Sequence, residues 1–366
     1  MRVIHCADIH LDSKLSTNLS GAKKRERKAE LIRTFEKMVE YAVQNDVSAI
    51  IIAGDLFDSK TVSVTPRNAV CKAIINNPDI DFYYLKGNHD VESFLGSLDA
   101  IPDNLKLFGD TWTTYTLGPD NKITINGVEL NGKNVSSISN TLVLDVDKIN
   151  IVTLHGQESV YRAKDKTECI PINEFKNKGI DYMALGHVHE YKLDVLDRRG
   201  MYCYCGCLEG RGFDECGDHG FVLLDIDLEK GKINTKFIDF ATRKMYVIKV
   251  DITGCLDNTD IRERIYIDLK RANIDKANFV KVELIGDVDI NCDKDIDLLT
   301  KAFEDDYFYF RIKDLSRLAI NYEDYKLDVS LKGEFVRLVM NDETLDSEKK
   351  AEIIRYGIQA LAGEEI

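Results

Sequence analysis

No run of about 18 consecutive apolar residues occurs in this 366-residue chain, which excludes a hydrophobic membrane-spanning helix. The charged-then-apolar layout of a secretory leader is missing as well, since Met1-Arg2 passes at once into a strand-like run. Cysteine lacks the paired spacings of a disulfide framework. Nine is an odd count, and it argues for a reducing, cytoplasmic compartment. Excess positive charge is absent too: 49 Lys and Arg stand against 63 Asp and Glu, a net charge of −14. The deficit is shared, with −7 over residues 1–240 and −7 over 241–366. Long-range attraction to a phosphate backbone is therefore poor, and any nucleic-acid binding must rest on local patches. There is no internal repeat, no low-complexity segment and no aromatic-interleaved platform for single strands.

What the chain does carry is five short blocks, each at the end of an apolar, β-prone run. They are Asp8-Ile9-His10, Gly54-Asp55, Gly87-Asn88-His89-Asp90, His155-Gly156 and Gly186-His187-Val188-His189, and five of the seven histidines lie in them. The preceding runs, Arg2–Ala7, Ala49–Ala53, Phe82–Leu85, Ile149–Leu154 and Tyr182–Leu185, read as buried strands. Blocks that leave a sheet along one edge converge, and layered α/β folds keep their ligands at such strand ends. This pattern predicts a metal site.

Residues i and i+2 of an extended chain share a face, so Asp8 and His10 can grip one cation together, as can His187 and His189. Asp55 follows Ile50-Ile51-Ile52 in a glycine turn, from which its two oxygens can reach two ions. Asn88 offers an amide oxygen and His155 another imidazole. A mixed N and O donor set without thiolate suits Mn, Fe or Zn in a catalytic role. Two ions roughly 3.5–4 Å apart form the clamp of phosphoryl hydrolysis, sharpening a bridging water for in-line displacement. His89 is left over, placed to protonate the leaving oxygen, with Asp90 expected to fix its tautomer.

The ordered set D-x-H, GD, GNHD, H and GHxH, spread over Asp8 to His189, resembles the calcineurin-like metallophosphoesterase superfamily. The resemblance implies a first metal site of Asp8, His10, Asp55 and His189. A second would comprise Asp55, Asn88, His155 and His187, with His89 as catalytic acid and manganese as the expected metal. HCADIHLDS at His5–Ser13, GDLFDS at Gly54–Ser59 and the segment Tyr204–Glu215 are similar to DNA repair exonucleases of the SbcD type, nearest to the YhaO-type branch. Cys205 and Cys207 depart from the wording usual there, and Asp58 stands where some relatives carry a histidine. The likeness covers residues 1 to about 240 well. It implies DNA as substrate and an SMC-like coiled-coil ABC ATPase (SbcC-type) as partner, and it leaves room for a homodimer.

Three basic groups follow metal blocks and would surround the same mouth: Lys23–Lys28 with Lys24, Arg25 and Lys28, then Arg162, Lys164 and Lys166, then Arg198, Arg199 and Arg211. The first is expected in the loop entering a helix over about 24–44. Cys203, Cys205 and Cys207 alternate along one β-prone face and read best as small buried side chains.

The fold expected is α/β (α+β): a two-sheet β-sandwich flanked by helices, over residues 1–240. Strand–helix units come first, with Pro66–Asn76 as a second helix. Short strands follow over 105–130 with Asn126-Gly127 as a hairpin turn, then hairpins turning at Asp197–Gly200 and Glu229–Gly231. Residues 245–320 read as a small α+β cap domain, with Asn258 or Asp260 capping its first helix. The stretch 321–366 ends in a helix over 345–361, whose residues Ile353, Ile354 and Ile358 make an apolar stripe suited to its own core or to docking the ATPase. Two other function classes stay open: a phosphoesterase of small substrates such as cyclic nucleotides or phosphoproteins, and a metal-free binding scaffold.

Overall fold

The computed structural model describes residues 1–15, 19–58, 62–90, 94–98, 100–159, 168–289, 292–319, 325 and 327–362. The chain forms two compact units, Met1–Met245 and Tyr246–Ile366. In chain order the first contains β1 (Arg2–Cys6), α1 (Gly21–Gln44), β2 (Val47–Ala53), α2 (Val64–Ile75), β3 (Asp81–Leu85), β4 (Leu105–Leu107), β5 (Thr113–Leu117) and β6 (Ile123–Gly127). There follow α3 (Ile138–Thr141), β7 (Ile149–His155), β8 (Gln157–Ser159), β9 (Cys169–Pro171), β10 (Tyr182–Gly186), β11 (Lys192–Val195), β12 (Met201–Tyr204), β13 (Gly220–Asp227) and β14 (Lys232–Asp239).

Two six-stranded sheets result, ordered β14-β13-β1-β2-β3-β4 and β11-β12-β10-β7-β6-β5. Strands β1 to β4 run parallel, as do β6, β7, β10 and β12, so each sheet sends several C-terminal strand ends to one rim. These central strands are covered on both faces, which is why they read as unbroken apolar runs. Val3, Ile51, Tyr83, Ile151 and Ala184 fill the core between the sheets together with Cys203 and Cys205, which are thus small core residues. Outside the first sheet, Leu31, Phe35, Met38 and Val39 of α1 and Val70 and Ile74 of α2 pack on Ile4, Ile50 and Phe82. Outside the second, Ile138 and Phe175 cover Val152, Leu154 and Met183. This is the helix-flanked two-sheet sandwich expected.

Two local expectations fail. Asn126-Gly127 makes no hairpin turn, because β6 continues through both residues and pairs parallel with β7. The β5–β6 turn lies at Gly118-Pro119-Asp120-Asn121, where Gly118, Asp120 and Asn121 adopt positive φ. Gly127 serves close approach, since an added Cβ would lie 2.6 Å from the Phe108 ring. Helix α1 begins at Gly21, capped by Ser20, so the basic run forms its first turns and not a loop.

In the second unit a three-stranded sheet has the order β15 (Met245–Asp251), β16 (Phe279–Ile285), β18 (Tyr309–Asp314), while β17 (Asp287–Asp289) pairs with β19 (Arg317–Ala319). Helix α4 (Asn258–Ala272) buries Ile261, Ile265 and Leu269, one stripe at i+4 spacing, and its cap is Asp257, which accepts from Thr259 and Asp260 amides. A short α5 (Ile296–Lys301) completes this layer, with Leu299 buried. Helices α6 (Leu331–Met340) and α7 (Ser347–Ala362) bury Val336, Ile354 and Ile358 against each other. Ile353 faces out instead, so the expected three-residue stripe is split. No helix among the described residues is long and apolar enough to cross a membrane.

Candidate metal centre

All five blocks meet at the rim where β1, β2, β3, β7 and β10 end. The approach is close because the block residues Gly54, Gly87 and Gly186 carry no side chain. A Cβ on Gly54 would lie 2.2 Å from His155 Nδ1, one on Gly87 2.1 Å from Asp55 Oδ1, and one on Gly186 2.1 Å from the Ala53 carbonyl. Several of the polar residues sit in left-handed backbone that side chains disfavour: Asp8 at φ 50, His10 at 48, Asp55 at 52 and His187 at 95. Amides of neighbouring blocks hold these turns. Asp8 donates to the Gly54 carbonyl, His10 to that of Asp55, and the His187 amide to the Asp8 carboxylate at 2.9 Å.

His10 Nε2 lies 3.1 Å from His189 Nε2, 3.8 Å from Asp55 Oδ2 and 4.0 Å from Asp8 Oδ1, and His189 Nε2 is 3.8 Å from Asp8 Oδ1. Donors bound about 2.1 Å from one ion at right angles stand about 3 Å apart, so this spacing is that of a coordination shell. His155 Nε2 is 3.4 Å from that same Asp55 Oδ2 and 2.9 Å from Asn88 Oδ1. The His155 Nδ1 faces the Ala53 carbonyl at 2.9 Å, a partner that holds a proton there and makes Nε2 the nitrogen a cation would take. The His187 ring stands edge-on to His155, centroids 5.3 Å apart. Its nitrogens, however, fall outside the His, Asp and Glu groups whose ligand atoms lie within 4.8 Å of one another. Buried carboxylates beside lone-pair nitrogens are costly without positive charge, and this donor set therefore fits divalent cations.

The ionisation equilibria of these groups carry the same strain. Burial pushes the Asp8 carboxyl up to about 6. Burial works against the charged form of Asp55 too, yet the hydrogen bond and charge of His155 outweigh it and hold that carboxyl below the usual range. Desolvation opposes the His155 imidazolium, but Asp55 and Asp8 raise its pKa to about 9. Burial, followed by the charge of Arg211, drives His10 down to about 2.

The His89 side chain is open to solvent, 47 % exposed, and its ring meets that of His10 edge-on at 5.2 Å. Its Nδ1 lies 2.9 Å from Asp58 Oδ1. Asp90, expected to fix this tautomer, is turned elsewhere. Its carboxylate accepts the amides of Leu56, Phe57 and Gly87, tying the Gly54-Asp55 turn to the Gly87–Asp90 turn. A deeply buried carboxylate takes the nearest unpaired N–H groups, and here those belong to the backbone. Asp58 has the role expected of Asp90 and also accepts from Ser13 Oγ at 2.8 Å.

Glu215, likewise missed, accepts from His189 Nδ1 at 2.7 Å. Burial opposes its ionisation, but His189 and Arg211 bring its pKa down to about 2. Neither supporting acid has a periodic signal, and Asp58 and Glu215 lie 31 and 26 residues from the histidines they hold.

Of the basic residues expected at the mouth, Lys24 and Arg25 lie on the first turn of α1 without an ion-pair partner among the described residues. Lys28 Nζ pairs with Asp12 at 3.4 Å. Arg211 is 16 % exposed and committed to Asp58 and Glu215, which removes it from the surface set. Arg199 pairs with Asp181 at 2.8 Å. Arg162, Lys164 and Lys166 lie outside the described residues. Arg27, in the middle of the first basic run, is wholly buried: it donates to Glu209 at 2.6 Å, Glu30 at 3.1 Å and the Gly210 carbonyl at 2.9 Å.

Fold and donors together define a metal-dependent phosphoesterase. The chain belongs to the calcineurin-like phosphoesterase family, whose profile matches residues 1–191. It is 26 % identical over 351 residues to the DNA double-strand break repair protein Mre11 of Sulfolobus acidocaldarius, covering 89 % of this chain and 85 % of that one. It is 25 % identical over 271 residues to the Mre11 of Methanosarcina acetivorans, covering 69 % of this chain and 41 % of that one. The uncharacterized metallophosphoesterase YhaO of Bacillus subtilis is 25 % identical over 253 residues, with 64 % and 59 % covered.

Proposed function

We propose that this protein is a two-metal DNA nuclease of repair, cutting phosphodiester bonds as an exonuclease and working with an SMC-like coiled-coil ATPase. The observation that carries the hydrolytic part is Asp55 Oδ2, which lies within 4 Å of both His10, itself beside His189, and His155, itself beside Asn88. Asp8, His10, Asp55 and His189 would hold one ion, and Asp55, Asn88, His155 and His187 the second. Divalent ions, manganese foremost, supply Lewis acidity at the phosphoryl oxygens and acidify water. His89 donates the proton to the leaving oxygen from Nε2, while Asp58 at Nδ1 fixes its tautomer and orientation. Asp90 acts by holding two turns of the centre in register.

DNA as substrate is supported by the repair proteins among the relatives and by Lys24 and Arg25 on α1, which have no ion-pair partner among the described residues. Residues 1–240 would carry the nuclease, 245–320 a cap, and 321–366 the ATPase-docking element. For docking, α6 and α7 leave apolar side chains outward, Leu331, Leu338 and Ile353 among them. All nine cysteines are free thiols, in keeping with a cytoplasmic location. One observation favours a phosphoesterase of small substrates instead: Lys28 and Arg211 are engaged by acids, which leaves little free cation near the centre among the described residues. A side-by-side assay decides. With Mn2+ present, linear duplex DNA should be degraded in a salt-sensitive manner and cyclic nucleotides left intact. Rapid cyclic-nucleotide turnover with inert DNA would reverse the assignment.

A further inference from the structure

The Arg211 guanidinium joins two side chains that the reaction uses for different purposes. Its Nη1 lies 3.3 Å from Asp58 Oδ2, and Asp58 Oδ1 lies 2.9 Å from His89 Nδ1. Its Nη2 lies 3.1 Å from Glu215 Oε1, the same oxygen that accepts from His189 Nδ1 at 2.7 Å. The Arg211 amide donates to the other Glu215 oxygen at 2.7 Å. One planar group thus spans the carboxylate behind His89 and the carboxylate behind His189.

The backbone that carries Arg211 is itself fixed. Arg27 on α1 grips both the Glu209 carboxylate and the Gly210 carbonyl. Glu209 also accepts from Thr34 Oγ1 at 2.6 Å and from the Thr242 amide at 2.7 Å. Gly210 permits this path, since a Cβ there would stand 2.9 Å from both the Glu215 carbonyl and His219 Nε2. A guanidinium fork presents donors at set angles to two acceptors, which a lysine ammonium cannot reproduce.

We infer that Arg211 is a positioning residue that sets the metal ligand His189 and the proton donor His89 together, through Glu215 and Asp58 and by its own Nη2, 3.2 Å from His189 Nδ1. It does not contact DNA. This rests on the roles given above to His189 and His89. Two readouts separate the arms: Mn2+ affinity from an EPR titration, and the turnover ratio between a diester with an alkoxide leaving group and bis-nitrophenyl phosphate, whose leaving group needs no proton.

Loss of support behind a metal-bound histidine weakens metal binding about 10–100-fold. Arg211→Met should show that weakening and should also lower the turnover ratio about tenfold. Glu215→Gln should move the metal affinity alone, and Asp58→Asn the ratio alone. Arg211→Lys keeps a charge in the fold but holds only one of the two acids, and so must still move at least one readout. The inference is overturned if Arg211→Lys and Arg211→Met leave both readouts unchanged, or if they impair DNA cleavage alone. His189→Ala with undiminished Mn2+ affinity would instead sink the assignment of His189 as ligand, independently of Arg211.

Discussion

Replacing Arg27 with methionine tests whether the buried ion network holds the first unit together. Both Arg27 and Glu209 have side chains only 1 % exposed, so neither charge can fall back on water. Removing one member of a buried pair costs about 3–5 kcal/mol, because the other is left without compensation. Here the lower end applies. Glu30 retains Arg243 at 2.6 Å, and Glu209 retains the Thr34 hydroxyl and the Thr242 amide. For a unit of this size each kcal/mol shifts the midpoint about 2–4 °C, so a loss of about 3 kcal/mol lowers Tm by about 6–12 °C. Thermal unfolding followed by circular dichroism in excess chelator reads this without interference from metal binding. The double variant Arg27→Met, Glu209→Met removes both charges and should recover most of the loss, since buried pairs are replaceable by apolar groups of similar volume. A single variant melting within 2 °C of the parent, or a double variant melting far below the single one, would refute the reasoning.

Asp55→Ala should empty the centre of both ions by metal analysis, whereas His89→Ala should keep them and lose about 10²–10⁴ in turnover, less with nitrophenolate leaving groups. An empty centre in His89→Ala would make that residue a ligand. Reversing Lys24 and Arg25 to glutamate should weaken DNA cleavage and make its fall with salt shallower, since fewer counterions are released, while bis-nitrophenyl phosphate hydrolysis holds; equal effects on both substrates would disprove the DNA mouth. Ile358→Ala should destabilise the α6–α7 pair by about 2–5 kcal/mol and raise amide exchange there, and Ile353→Ala should change it by less than about 0.5. Glu215 titrates at about 2 in the fold against an ordinary value of 4.5, a depressed acid. Its stabilisation is therefore complete above pH 4.5 and lost as pH falls towards 2. The stability deficit of metal-free Glu215→Gln should narrow across that window in denaturant titrations.

The ligand blocks were legible because chemistry and space wrote the same letters. Asp8, His10, Asp55, His155 and His189 carry the donors, and Gly54, Gly87 and Gly186 stand where no Cβ fits. The central strands were legible because burial on both faces leaves apolar runs. The β5–β6 turn was misread because Asn126-Gly127 imitates turn chemistry; its amide is buried instead against Thr114, Thr124 and the Ile151 carbonyl. The roles of Asp58 and Glu215 stayed hidden since the histidines they hold lie in other blocks, and Arg211 was misplaced because a surface arginine and a buried one look alike in a string of letters. Helix α6 went unread because much of its apolar surface is outward, which blurs the stripe.

Four residues of the centre, Asp8, His10, Asp55 and His187, hold left-handed backbone that glycine would adopt freely. Such residues cost about 1–3 kcal/mol each, so together they forfeit roughly 4–12 kcal/mol, comparable to the whole stability of an ordinary domain. Heat resistance and turnover therefore pull these positions in opposite directions. A lineage released from its substrate would drift to glycine there, and its proteins would become harder to melt as they became inert.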